Sequence, residues 1–130
     1  MFLLQFDACN RDNNRNGSIG YVLYYDNIVL YKTYEKLELS YNSNYAEYKA
    51  LIKGLKFAKQ LNIYDLFVEG DAKIVIDQIN NICTIKNELI LPLYKEVLNL
   101  KNSFDFINFE HIYRKYNIYA DSLANHALIS

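Results

Sequence analysis

The sequence predicts an α/β fold: a five-stranded mixed sheet, with three antiparallel strands followed by two parallel additions, flanked by helices. Three runs of apolar, aromatic and β-branched residues occur at 1–8, 18–25 and 28–34, and helical periodicities then alternate with short strand-type runs. An antiparallel unit followed by strands with helical crossovers gives a mixed sheet covered by helices. With 130 residues, 52% of them hydrophobic, we expect residues 1–130 to form a single domain.

The first three strands are predicted from apolar runs and one turn signal. Residues 1–8 form a short apolar run that ends in an acid, Asp7, which is typical of a central strand, and the Asn-rich stretch 9–17 is predicted to be a loop. Residues 18–25 and 28–34 are joined by Asp26-Asn27, a dipeptide that tolerates positive φ. These two runs are therefore predicted to form a hairpin.

The first helix is predicted from a cap and a periodicity. Asn44 stands three residues before Glu47, which is the spacing of a capping box. Apolar residues then recur at helical spacing, namely Ala46, Ala50, Leu51, Leu55 and Ala58. Together, the cap and the periodicity predict a helix that begins at Asn44.

The second half supplies two strands and three helices. A short strand at 65–69 is followed by a turn at Gly70 and by Asp71, which opens a predicted helix over 72–79. The periodicity over 87–102 predicts another helix, with Pro92 near its start where proline is tolerated. A last strand at 105–112 and a closing helix at 118–129, which carries Asp121, complete the chain.

Composition narrows the class of protein. No run of 18 apolar residues occurs, and the N-terminal residues lack the features of a signal peptide, so we expect a soluble intracellular protein, cytoplasmic or nucleoid/nuclear, with no membrane partner. Cys9 and Cys83 have no spacing that indicates zinc or a disulfide scaffold. The sequence does not specify an oligomeric state, and a monomer is the expectation. The net charge of −1 predicts modest, salt-sensitive binding to any nucleic acid.

Four acids are the candidate metal ligands: Asp7, Glu47, Asp71 and Asp121. Each is predicted to end a strand or to lie in the first turn of a helix, at the rim of the sheet, where side chains can share one cleft. Converging carboxylates repel one another, so divalent cations would be needed and at least one carboxyl should have a raised pKa. Taken singly, Glu47 could serve only the capping box, Asp71 only as an N-cap, and Asp121 only the helix dipole. Asp7, which is predicted to end a buried apolar strand, has no such capping role.

Four segments together resemble a known family. Asp7 after an apolar strand, Asn44-Tyr45-Ala46-Glu47 opening a helix, Val68-Glu69-Gly70-Asp71, and Arg114 through Ala124 look like the four signatures of the type 1 ribonuclease H family, in the right order. The resemblance spans nearly the whole chain and implies a ribonuclease H-like fold. It also implies an endonuclease that hydrolyses the RNA strand of an RNA–DNA hybrid with two Mg²⁺ or Mn²⁺ ions.

The resemblance assigns roles to the acids. Asp7 would bridge both ions, Glu47 and Asp71 would hold the ion near the leaving group, and Asp121 would bind the ion that carries the nucleophilic water. Arg114 occupies the place where many bacterial members have a flexible His. His111 falls in the predicted last strand instead, and His126 has no evident role.

Substrate contacts are expected from the first loop and from Asn44. In the family, such positions contact the RNA 2′-hydroxyl, which distinguishes RNA from DNA. Asn44 matches the family pattern, whereas the loop is longer and rich in Asn. Its plausible readers of the 2′-hydroxyl are Cys9, Asn14 and Asn16, its plausible phosphate contacts are Arg11 and Arg15, and for each the alternative is a solvated polar loop.

Two alternatives to the enzyme stay open. The extra basic helix that grips DNA in many bacterial members has no counterpart between Asp71 and Asp121, which predicts weaker hybrid binding. The chain could therefore be a weakly active nucleic-acid-binding module with this fold. Another nuclease of the superfamily is the remaining alternative; its exonucleases usually carry Asp-x-Glu on the first strand, where this chain has Asp7-Ala8-Cys9.

Overall fold

The computed structural model of the protein describes residues 1–11 and 16–129. Within them, five strands form one sheet in the order β3-β2-β1-β4-β5. Pairs β1–β2 and β2–β3 are antiparallel, while β1–β4 and β4–β5 are parallel, so the predicted mixed sheet is confirmed. The strands are β1 (Phe2–Arg11), β2 (Asn16–Tyr25), β3 (Ile28–Leu37), β4 (Asp65–Gly70) and β5 (Phe106–His111), and the helices are α1 (Ser43–Gln60), α2 (Lys73–Ile79), α3 (Leu91–Lys101) and α4 (Ile118–Leu128), with a 3₁₀ turn at Arg114–Tyr116.

The β2–β3 hairpin turns where the sequence predicts it. Asp26 and Asn27 have φ of 48° and 68°, the conformation that a two-residue hairpin turn requires. The predicted loop over 9–17 is wrong at both ends, because Asn10 pairs with Gly17 and Arg11 pairs with Asn16. The β1–β2 ladder thus continues through polar residues, since pairing with a neighbouring strand outweighs their low strand propensity.

Helix α1 begins earlier than the capping-box spacing indicates. Asn42 is the N-cap, and its Oδ1 accepts a hydrogen bond of 2.8 Å from the Tyr45 backbone N–H. Asn44 and Glu47 lie inside the helix, Glu47 as its fifth residue. The predicted Asn44–Glu47 capping box is therefore wrong, and Glu47 is available for other contacts.

Helix α3 begins at Leu91 rather than at residue 87. Pro92 lies in its first turn, where a residue without an N–H loses no helical hydrogen bond. The preceding residues form a turn, in which Asn87 Oδ1 accepts from the Leu89 N–H at 2.8 Å. The other predicted elements differ from the observed ones by a few residues at their ends.

The sheet carries helices on both faces, and the side-chain alternation of β2 separates the two faces. Ile19, Tyr21 and Leu23 belong to the main core, where Tyr21 contacts Phe57 of α1. On the opposite face, Gly20 lets α4 approach the sheet closely, because a Cβ there would lie 2.7 Å from the Ala120 carbonyl oxygen. None of the helices within the described residues combines the length and apolar character needed to cross a membrane.

Candidate active site

The register of the central strands places Asp7 beside Asp71. In the parallel β1–β4 ladder the last pair is Phe6 with Gly70, so Asp7 and Asp71 each follow directly after that pair. Asp7 lies inside β1, which continues to Arg11, and its main chain pairs with Gly20 of β2. Asp71 stands where β4 leaves the sheet, so its side chain faces a cleft at the carboxyl edge of the sheet. Asp7 is nevertheless only 3% exposed.

Glu47 reaches the same point from α1. It lies on the buried face of the helix, between the core residues Ala46 and Tyr48. One carboxylate oxygen of each of Asp7, Glu47 and Asp71 lies within 4.8 Å of the others. The Glu47 Oε1 atom is buried and has no hydrogen-bond partner among the described residues. A buried acceptor without a donor is unfavourable, and a bound cation would satisfy it.

Asp121 and Arg114 line the same cavity from the other side. The cavity has a volume of about 280 Å³ and is lined by Asp7, Ala8, Glu47, Asp71, Arg114 and Asp121. Asp121 lies in the first turn of α4, where its Oδ1 accepts from Asn125 Nδ2 at 3.2 Å. An Arg114 guanidinium nitrogen lies 3.4 Å from the same oxygen. Asp121 therefore stands at the rim, outside the three-acid cluster.

Burial and mutual repulsion disfavour the charged form of the clustered acids. Burial first, and then the charge of Asp71, raise the pKa of Asp7 to about 8, although a 2.8 Å hydrogen bond from the Ala8 N–H acts in the opposite direction. Burial, and then the charge of Asp7, raise the pKa of Glu47 well above its ordinary range. Burial also raises the pKa of Asp71, although hydrogen bonds from Asp7 and Asn117 act in the opposite direction. The predicted raised pKa is thus confirmed.

The donor set fits a hard divalent cation. Carboxylate oxygens are the ligands that Mg²⁺ and Mn²⁺ prefer, and three of them converge here. A divalent charge would offset the repulsion that raises these pKa values and would coordinate the unpartnered Glu47 oxygen. The cluster could therefore hold a divalent metal ion.

Comparison with known proteins assigns the family. The family model described as reverse transcriptase-like matches residues 5–127. The chain belongs to this family. Its fold is that of ribonuclease H: the RNase H1 structure from Halobacterium salinarum superposes with a TM-score of 0.93 at 26% identity, covering 98% of this chain and 97% of that one. The RNase H domain of Rv2228c from Mycobacterium tuberculosis gives 0.92 at 31% identity, covering 98% and 93%.

The sequence relatives of this reverse transcriptase-like protein are longer. The bifunctional protein Rv2228c is 38% identical over 86 residues, which are 66% of this chain and 24% of that protein. The chain thus spans about a quarter of the length of that relative. LC11-RNase H1, solved in complex with an RNA/DNA hybrid, shares the fold at a TM-score of 0.92 and 21% identity, over 99% of this chain and 97% of that one.

The predicted substrate-contact residues that the structure describes do not line the acidic cavity. Cys9 lies in β1, where its thiol donates to Asn125 Oδ1 at 3.4 Å. Asn16 is exposed at the start of β2, and Asn44 is half-buried in the first turn of α1. Asn14 and Arg15 lie outside the described residues.

Sequence reasoning missed Asn117. This residue is completely buried, and its Nδ2 donates to the Phe6 carbonyl oxygen at 2.9 Å, directly beside Asp7. Its Oδ1 has no partner among the described residues. Asn117 belongs to the Arg114–Ala124 segment that carries the resemblance, but Asn before a helix usually indicates only a cap. The sequence contains no signal that this residue, in a polar segment, would be buried.

Proposed function

We propose that this protein is a metal-dependent endoribonuclease that hydrolyses the RNA strand of RNA–DNA hybrids. The observation that carries the proposal is the convergence of three buried or half-buried carboxylates, one with an unpartnered oxygen, on a cavity that Asp121 and Arg114 also line. Membership of a family with the ribonuclease H fold supports it. The match over residues 5–127 also supports a single domain over 1–130.

The four acids would hold two divalent ions, Mg²⁺ or Mn²⁺. Asp7 is the proposed shared ligand, Glu47 and Asp71 the ligands on the leaving-group side, and Asp121 the ligand on the side of the attacking water. When bound, such ions activate water and stabilise the leaving oxygen of a phosphodiester. A carboxylate oxygen of Asp7 lies within 4.8 Å of those of both Glu47 and Asp71, which supports its shared role.

The remaining proposed residues would bind and orient the substrate. The Arg114 side chain is 77% exposed at the rim of the cavity and can place its guanidinium on a phosphate, for which its fork geometry is suited. Cys9, Asn14, Asn16 and Asn44 are proposed to contact the RNA strand. Amide side chains can both donate to and accept from a 2′-hydroxyl, which DNA lacks.

The proposal is tested by incubating the protein with a labelled RNA–DNA hybrid in Mg²⁺ and separately in Mn²⁺. Single-stranded RNA, duplex RNA and duplex DNA are the substrate controls. We expect cleavage of the hybrid RNA strand alone and a loss of at least about 100-fold in Asp7→Asn. Asp65→Asn, an exposed acid at the opposite end of β4, is the matched control and should cleave like wild type.

Metal binding is measured separately from cleavage. Each metal should raise the melting temperature of the wild-type protein, because it binds the folded state alone, and should raise that of Asp7→Asn much less. Intact hybrid under both metals, with a folded protein, would contradict the proposed activity. That outcome would favour the binding module with this fold.

A further inference from the structure

The segment between β5 and α4 exposes apolar and cationic side chains together. Tyr113, Tyr116 and Ile118 are 70%, 63% and 64% exposed, and Arg114 and Lys115 lie between the two tyrosines. No acidic residue occurs from 111 to 118, so segment 113–118 is locally basic in a chain of net charge −1. Three large apolar side chains exposed within six residues form a surface that a binding partner would cover.

This surface adjoins the candidate active site. Arg114, the second residue of segment 113–118, lines the acidic cavity and contacts Asp121. Asn117, the fifth, is anchored in the protein interior through its hydrogen bond to the Phe6 carbonyl oxygen. The 3₁₀ turn of Arg114–Tyr116 therefore projects from a fixed base at the rim of the cavity.

The Lys115–Tyr116 pair differs from the other cation–ring pairs. The Lys115 ammonium lies 5.0 Å from the Tyr116 ring centroid. Elsewhere in the described residues, the rings of such pairs are half-buried or buried: Tyr119, Tyr45 and Phe109. At Tyr116 the ring is exposed, so a planar ligand could lie against it with a cation adjacent.

We propose that segment 113–118 binds unpaired nucleotides where a strand leaves the hybrid, an inference that rests on the proposed function. Exposed aromatic rings stack on nucleobases, and neighbouring cations contact the phosphates. Paired bases present their faces only at the end of a duplex, whereas unpaired bases present them along the strand. The segment would thereby add affinity for nucleic acid, which many bacterial members of the family obtain from an extra basic helix.

The test compares hybrids with the same duplex and different ends. One is blunt, and the others carry a single-stranded RNA or DNA extension at the 5′ or 3′ end. Binding is measured by fluorescence anisotropy with the Asp7→Asn protein in Mg²⁺, so that the readout does not depend on cleavage. We expect at least one extension to tighten binding by about fivefold or more, the effect of one stacked base.

Paired substitutions locate the effect. Tyr113→Ala with Tyr116→Ala should bring the ratio of blunt to extended dissociation constants to about one, whereas Tyr113→Phe with Tyr116→Phe should keep the wild-type ratio, because stacking needs only the ring. Tyr64→Ala, which removes a ring 54% exposed at the start of β4, is the matched control and should also keep it. Melting temperatures confirm that each variant is folded.

Two results would overturn the inference. The first is equal binding of blunt and extended hybrids by the Asp7→Asn protein with segment 113–118 unchanged. The second is an undiminished preference for extended hybrids in the folded variant that also carries Tyr113→Ala and Tyr116→Ala. Either can occur while the wild-type protein cleaves blunt hybrid normally, which would leave the proposed function intact. Conversely, absence of cleavage with a preserved preference for extensions would contradict the proposed activity and support the binding surface.

Discussion

The side chain of Asn117 donates from Nδ2 to the carbonyl oxygen of Phe6 at 2.9 Å, across 111 positions of the sequence. Phe6 precedes Asp7, and the backbone carbonyl oxygen of Asn117 accepts the Asp121 N–H at 3.1 Å. Asn117 thus links the strand that carries Asp7, through its side-chain amide, to the first turn of the helix that carries Asp121, through its backbone carbonyl.

Asn117→Ala should lower the free energy of unfolding by about 1–3 kcal/mol, because the buried Phe6 carbonyl oxygen loses its donor. It should also raise the Mg²⁺ concentration needed for half-maximal cleavage, since Asp121 is no longer held against β1. Thermal melts and a metal titration measure the two effects. Asn99→Ala, at an exposed position in α3, is the control, and equal metal requirements in both variants would contradict the positioning role.

The metal-free protein should lose stability as the pH rises. Asp7 has a folded pKa of about 8 against an ordinary value of 3.8, so between these values the folded state binds more protons than the unfolded state. Per excess proton, the free energy of unfolding falls by about 1.4 kcal/mol for each pH unit in that window, and the loss is complete above the folded pKa. Denaturant unfolding in EDTA from pH 4 to 9 measures it.

Asp7→Asn provides the control for this pH dependence. The amide cannot ionise, so the decline should be shallower in the variant, and at pH 8 the metal-free variant should be more stable than wild type. Mg²⁺ should restore stability to the wild-type protein at high pH, where its ligands are deprotonated. A flat wild-type profile would contradict the raised pKa of Asp7 that burial and the charge of Asp71 produce.

Substitution of Asn42 and of Asn44 should separate capping from any substrate contact. Asn42→Ala removes the side chain that accepts from the Tyr45 N–H and should destabilise the protein by about 1 kcal/mol. Asn44→Ala removes no cap and should change stability by less than about 0.5 kcal/mol. If Asn44 contacts RNA as proposed, its alanine variant should instead show a higher KM for the hybrid. If Asn44→Ala destabilised the protein and Asn42→Ala did not, Asn44 rather than Asn42 would be the N-cap.

Gly20→Ala should displace α4. The added Cβ would lie 2.7 Å from the Ala120 carbonyl oxygen and 2.7 Å from the Ala124 nitrogen, both backbone atoms of that helix. We expect destabilisation of about 1–3 kcal/mol and a loss of cleavage, because Asp121 moves with α4. Ser18→Ala, which removes the hydroxyl bonded to the Ala124 carbonyl oxygen, tests the same contact without a clash. Wild-type activity in a folded Gly20→Ala protein would contradict this expectation.

The sequence predicted the mixed sheet and located the candidate acids at the ends or starts of its elements because the relevant signals are local. The apolar run before Asp7, the Asp26-Asn27 turn and the periodicity of α1 each depend on neighbouring residues. The extension of β1 to Arg11 and the role of Asn117 depend on partners far along the chain. Spacing alone also cannot choose between Asn42 and Asn44 as the cap, since both suit an N-cap.

The position of α4 also has a consequence for folding kinetics. Ser18 and Asn117 bond to partners 106 and 111 residues away, and α4 is the last helix of the fold in chain order. Such long-range contacts form slowly, because a large loop must close before they stabilise anything. A chain still emerging from the ribosome can thus build the β1–β2–β3 meander early, but Asp121 takes its place at the rim of the acidic cavity only after α4 has been synthesised. The proposed nuclease activity should therefore be acquired last as the protein folds.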